Sequence, residues 1–165
     1  MVRVRPMNLR LDGEAVLALQ QETYCANFPG FQYGIEFERE FSRQIRHAER
    51  PDREELFVAE MNGQVVGFLW MGTLLAEFSP EPVQAIVKNV SVAPERRRQG
   101  IGRLLIQHGE SWAMAQGARR VRLQVTVSNA AAVALYHDLG YSVDRYEMTK
   151  PLGSVSESGG LTPNG

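Results

Sequence analysis

A single cysteine among 165 residues, Cys25, rules out an internal disulfide and a paired-cysteine metal site. A reducing, cytoplasmic setting is the expectation that follows. Charge of one sign in excess is lacking too: 18 Lys and Arg stand against 19 Asp and Glu, for a formal net charge of -1. Such a chain has no global field with which to hold nucleic acid or an anionic membrane, so any anion it binds must be gripped locally. Long apolar runs are also missing. The opening Met1-Val2-Arg3-Val4-Arg5-Pro6 has no apolar centre of secretory-signal length, and no later stretch reaches membrane-spanning length. A soluble, unexported protein is expected. There is no internal repeat, and 44% hydrophobic content over this length suffices for one domain with a sizeable core.

Arginine and glycine, by contrast, are concentrated in one place. Residues 85–92 end in Val90 and Val92 alternating with Asn89 and Ser91, the period-2 pattern of a strand with one apolar face. Pro94 stops that strand, and Arg96, Arg97, Arg98, Gln99, Gly100, Ile101, Gly102 and Arg103 follow. Ile101, Leu104, Leu105, His108, Trp112 and Ala115 then recur at helical spacing, which predicts a helix starting near Gly100 to Gly102. The first turn of a helix carries unpaired N–H groups and the positive end of the macrodipole, and glycines there let a phosphate reach the backbone. An isolated triple arginine is more often a solvated run. A strand before it, glycines inside it and a helix after it favour an anion site.

Arg97-x-x-Gly100-x-Gly102 between a strand and an amphipathic helix resembles the pyrophosphate-binding motif of the GNAT superfamily of N-acetyltransferases. The similarity continues through Asn129 and the run from Ala134 to Tyr141. This resemblance implies an α/β (α+β) fold, a mixed central sheet flanked by helices in one domain. It implies acetyl-CoA as donor and a primary amine of a small molecule or polypeptide as acceptor. The N–H groups of residues 98–103 would hold the pyrophosphate, with Arg97 beside them. Backbone groups of Val90, Ser91 and Val92 would meet the pantetheine arm, and Asn129 would contact that arm too. Tyr136 matches the tyrosine that protonates the leaving thiolate. From the residues alone, Tyr136 reads equally well as a core tyrosine sharing a face with Val133 and Leu139, and Asn129 as a plain helix cap.

The general base stays open among Glu36, Glu60 and Glu77, or a water positioned by Asn89 or Ser91. His137 lies about 100° round its helix from Tyr136, and His47 and His108 read as structural. No metal site is expected. Two other functions fit the same loop: a non-catalytic acyl-CoA-binding sensor, and a nucleotide site. The second lacks both the Gly-Lys-Ser/Thr ending of a P-loop and the full Gly-x-Gly-x-x-Gly fingerprint. A second copy of the chain, as a homodimer, stays an open partner.

Elsewhere Val2 and Val4 read as a first strand stopped by Pro6, and residues 12–24 as a helix with Asp12 available as its cap. Phe28, Pro29, Gly30, Phe31, Tyr33 and Gly34 form a turn-prone aromatic stretch. With Glu36, these aromatics are either a lip over the acceptor or simple packing of a long loop. Phe37, Phe41 and Ile45 predict a helix over 37–47, and residues 49–55 a polar connection. Runs 56–61 and 65–75 around Asn62-Gly63 predict a hairpin, and 76–84 a loop. Gly117 stops the long helix, Val121, Leu123, Val125 and Val127 alternate as a strand, and Ser128 or Asn129 caps a helix ended by Gly140. Residues 141–150 predict a last strand or hairpin arm. The domain is expected to span 1–152, and 153–165, rich in glycine and serine, to be a disordered tail.

Overall fold

A computed structural model of the chain describes residues 1–28, 30–47, 53–75, 81–150 and 152. Five strands form one sheet in the order β1-β2-β3-β4-β5: β1 (Val2–Pro6), β2 (Glu54–Met61), β3 (Gln64–Leu75), β4 (Val83–Val92) and β5 (Val121–Arg122). The first three pairings are antiparallel and the last, β4 with β5, is parallel. Helices α1 (Leu9–Asn27) and α2 (Ile35–His47) cover one face, and α3 (Ile101–Ala115) and α4 (Ala130–Asp138) the other. A helical crossover, α3, makes the parallel connection, as such a connection requires.

Alternation along the strands divides the core between the two faces. In β2, Leu56 and Val58 join the cluster under α1 and α2, with Phe41, Ile45, Phe68 and Trp70, while Phe57 and Ala59 join the cluster under α3. The β2–β3 connection is the tight turn expected of Asn62-Gly63, with φ of 53° and 78° at the two positions. Both left-handed values are what a two-residue hairpin of matching twist demands.

Asn8, not Asp12, caps α1, its side chain accepting from the N–H groups of Arg10 and Leu11. Asp12 sits one turn in, 2% exposed, and accepts from the Asn8 N–H at 2.7 Å and from both terminal nitrogens of Arg5 at 2.7 and 2.9 Å. Arg5 also binds Glu60, so three elements are tied at this corner. The Arg5 hydrogen bonds hold the Asp12 carboxyl below its ordinary 3.8. A depressed carboxyl adds stability that is present above its unfolded value and lost as pH falls through the folded one. Asp12→Asn is therefore expected to cost about 2 to 3 kcal/mol at pH 7. Urea unfolding at pH 7 and pH 3 checks it, because the gap between variant and parent should narrow at the lower pH.

The buried stripe of α3 differs from the expected one. Ile101 and Leu105 are buried as predicted, but the stripe continues through Ile106, Gly109 and Ala113, while Leu104 is 44% exposed and Ala115 faces solvent. Gly109 explains the rotation: a Cβ there would lie 2.7 Å from Leu69 Cδ2 and 2.9 Å from Met71 Sδ. The helix lies lowest on the sheet where it has no side chain, a closeness that counting large apolar residues overlooks.

The strand predicted over 121–127 is confined to Val121–Arg122. An extra residue, Lys88, bulges from β4 where Trp70 pairs with Asn89 and Met71 with Val87, and the parallel register ends at Ile86↔Arg122. Leu123 and Val125 still pack against the α3-side core without a ladder. Residues 141–150, expected as a strand, carry no regular secondary structure. The expected tail 153–165, the loop tip at 76–80 and Glu77 lie outside the described residues. Among the described residues no helix is long and apolar enough to cross a membrane, and no cluster of His, Cys, Asp and Glu could hold a metal ion.

Candidate active site

The bulge at Lys88 decides what β4 offers on each face. Lys88 and Asn89 both point toward α1 and α2, Lys88 Nζ lying 4.4 Å from the Trp70 ring centroid and Asn89 Nδ2 donating to Gln20 Oε1 at 2.6 Å. Such doubling is characteristic of a bulge. Val90 and Val92 consequently face the α3 side, and Ser91 faces α1. Beyond the end of the β4–β5 register, this stretch of β4 is ladder-paired only to β3 among the described strands.

Past Val92, the Ala93 N–H donates to Val66 O at 2.9 Å, and Pro94–Arg96 makes one 3-10 turn. Arg98 then adopts φ 64° and Gly100 φ 81°, before α3 begins at Ile101 with Gly100 as its cap residue. Arg98 is one of two non-glycine residues with positive φ among those described, a conformation costing about 1 kcal/mol. Arg97 before it is extended, with φ -65° and ψ 159°, and residues 97–100 form an irregular turn whose left-handed Arg98 and Gly100 lead into the first turn of α3. The first-turn N–H groups of α3 supply donors there. Arg96 and Arg98 make no ion pair among the described residues, and Arg103 makes only a 3.4 Å approach to Asp138. The donor set suits a diphosphate.

At Gly102 a Cβ would stand 3.3 Å from Leu135 Cδ2 and 3.9 Å from Val92 Cγ2. That glycine lets α4 close onto the mouth of α3, which draws Tyr136 into the same layer. Tyr136 is 8% exposed and shares one apolar cluster with Ile101, Leu105, Val90, Val92, Leu123 and Val125. Burial pushes its phenol above the ordinary value of 10. Tyr141 packs edge-to-face on it at 5.7 Å. Asn129 caps α4, accepting from the Ala132 N–H at 3.2 Å.

Other expected site residues lie differently. Arg97 turns back, Nε donating to Val92 O at 3.1 Å and Nη2 meeting Glu22 Oε2 at 2.6 Å. The Ser91 hydroxyl is buried and committed to α1, 2.6 Å from Thr23 Oγ1 and donating to Leu19 O at 3.3 Å. Ser91 thus presents backbone only to the α3 side. Glu60 is occupied by Arg5, and Glu36 is exposed in the first turn of α2. The aromatics of the α1–α2 connection form a continuous stack: Tyr24 contacts Phe28, Phe31 and Phe37, Tyr33 contacts Phe37, and Phe41 leads to Trp70. Phe28 at one end of the stack stays 53% exposed. Sequence reasoning missed Glu22 and also Glu54, which accepts from Trp70 Nε1 and Lys88 Nζ at 2.8 Å each. Only register and helix docking bring those partners together, so no local pattern marks them.

Residues 16–141 match the acetyltransferase (GNAT) family. The chain belongs to that family. Among curated GNAT relatives, mycothiol acetyltransferase of Thermobispora bispora is 32% identical over 144 residues, covering 86% of this chain and 46% of the relative. The ribosomal protein bS18 alanine N-acetyltransferase of Escherichia coli K12 is 35% identical over 86 residues, covering 52% of this chain and 53% of that protein. The chain thus spans about half the length of these curated relatives. Among solved structures, a transcriptional regulator from Bacillus halodurans superimposes with a TM-score of 0.77 at 19% identity, over 92% of this chain and 99% of that one. The GNAT resemblance and the α+β, mixed-sheet fold expected from it are both borne out.

Proposed function

We propose that this chain is an acetyl-CoA-dependent N-acetyltransferase that acylates a primary amine. The observation that carries the reading is the turn with left-handed Arg98 and Gly100 at the mouth of α3, joined through Gly102 to the layer that buries Tyr136. Acetyl-CoA supplies an activated acetyl thioester. The N–H groups of residues 98–103, with the Arg98 and Arg103 guanidiniums, hold its diphosphate. The N–H and C=O groups of residues 90–92 orient the arm along β4, and Asn129 holds the arm from the α4 side.

The amine, reacting as the neutral base, forms the new C–N bond as the C–S bond breaks. Tyr136 gives its phenolic proton to the departing sulfur, and the proton lost by the nitrogen passes to water, from which the phenol is reprotonated. A phenol kept neutral by burial remains a donor throughout the neutral range. The names of the two curated relatives, one acting on mycothiol and one on a ribosomal-protein alanine, support acetyl transfer and keep small-molecule and polypeptide amines both in play. Thiol release from acetyl-CoA with a panel of small amines and peptides tests the reading. Free coenzyme A appearing with at least one acceptor is the expected result; binding of acetyl-CoA with no thiol released by any acceptor marks a sensor instead.

A further inference from the structure

Resting on that reading of the loop, we propose that Glu22 and Arg97 form a clamp that shapes the diphosphate-binding turn from behind, making α1 part of the donor site. Arg97 is thereby a positioning residue rather than a ligand of phosphate. Its guanidinium is spent in two directions: Nε holds the last carbonyl of β4, Val92 O, at 3.1 Å, and Nη2 holds Glu22 at 2.6 Å. The very next residue is Arg98 at φ 64°. A strained left-handed residue persists where its surroundings over-determine it, and the clamp fixes the backbone immediately upstream.

The other attachments of α1 lie in the same stretch. Leu19 O accepts from Ser91, Thr23 Oγ1 meets Ser91 Oγ, and Gln20 Oε1 accepts from Asn89. Residues 19, 20, 22 and 23 of one helix therefore hold positions 89, 91 and 97 in series. Removal of Glu22 removes the only anchor in that series that reaches the loop itself. A planar fork is needed to span Val92 O and Glu22 together, which a lysine ammonium does not supply.

Calorimetric titration with coenzyme A tests this. Glu22→Gln and Arg97→Lys are each expected to weaken binding about fivefold with melting temperatures unchanged. The charge-neutral double variant, Glu22→Gln with Arg97→Gln, should bind no worse than either single variant, because the two act as one unit. It should keep the parent's salt dependence, which Arg98→Gln should flatten. If Arg97 were itself a phosphate ligand, Glu22→Gln would free it and remove a repelling carboxylate. Unchanged or tighter binding by Glu22→Gln therefore overturns the clamp while leaving the loop assignment intact. A parent protein that binds no coenzyme A overturns both.

Discussion

Gly100→Asp is expected to lower the affinity for coenzyme A about a hundredfold or more while the protein melts within a few degrees of the parent. Two facts separate the binding effect from folding. A Cβ at Gly100 meets no atom within 4 Å, so the bulk of the new side chain costs the free protein nothing. The left-handed φ of 81° strains any side chain, at a cost of about 1 kcal/mol, and aspartate is among the residues that bear it best. What it brings is a carboxylate at the entrance of the turn, where its charge opposes a diphosphate. Gly100→Asn serves as the control, with a side chain of the same size and similar left-handed tolerance but no charge. Calorimetry with coenzyme A, paired with thermal melts of the parent and both variants, provides the comparison, the variants sharing one melting shift and only Gly100→Asp losing affinity; parent-like affinity in Gly100→Asp would sink the loop assignment.

Tyr136→Phe should leave coenzyme A binding unaltered and cut turnover about a hundredfold or more, the usual contribution of a positioned general acid. The phenylalanine ring preserves packing against Ile101, Val90 and Tyr141, so melting should shift little. The pH profile adds an independent sign. Burial raises the Tyr136 phenol above 10, so the acid stays protonated at neutral pH and the alkaline fall in parent activity should lie above pH 10. Folding follows the same logic. An unfolded phenol ionises near 10 and the buried one resists, so stability holds below pH 10 and declines as pH rises past it. In Tyr136→Phe the part of that decline due to this residue should vanish, although Tyr141, also raised by burial, retains its own.

Local chemistry made the hairpin and the strand, loop and helix start of the proposed donor side legible in sequence. Asn62-Gly63 specifies its hairpin through backbone freedom alone, Gly100 marks the start of α3, and Val90 and Val92 display the apolar face of β4 without reference to any distant residue. Where close approach or distant pairing decides the outcome, the pattern misleads. Gly109 rotates the buried face of α3 because contact is closest where a side chain is missing. Leu123, Val125 and Val127 alternate like a strand, yet the ladder stops where Arg122 pairs with Ile86, two residues short of the β4 bulge at Lys88, a long-range feature that alternation does not reveal. Asp12 looked like a cap because an acidic residue near a helix start commonly is one, while its Arg5 partner comes from a different element. Glu22 and Glu54 carried no signal at all, since each acquires its partner through the docking of α1 or the register of the sheet.

The extra residue at position 88 makes β4 behave like a message with a reading frame. Upstream of it, Ala85 and Val87 face the layer of α3; downstream, Val90 and Val92 do, an offset of three where two would be the rule. Without that doubled position, strict alternation from Val87 would drive the Asn89 amide and the Ser91 hydroxyl into the hydrocarbon around Tyr136 and turn two valines toward Gln20 and Thr23. Deleting Lys88 would instead close the bulge and leave Val90 and Val92 on the face they now occupy. A single deletion at position 88 should therefore be tolerated better than a single deletion between Val90 and Val92, which would reverse the faces of the residues beyond it.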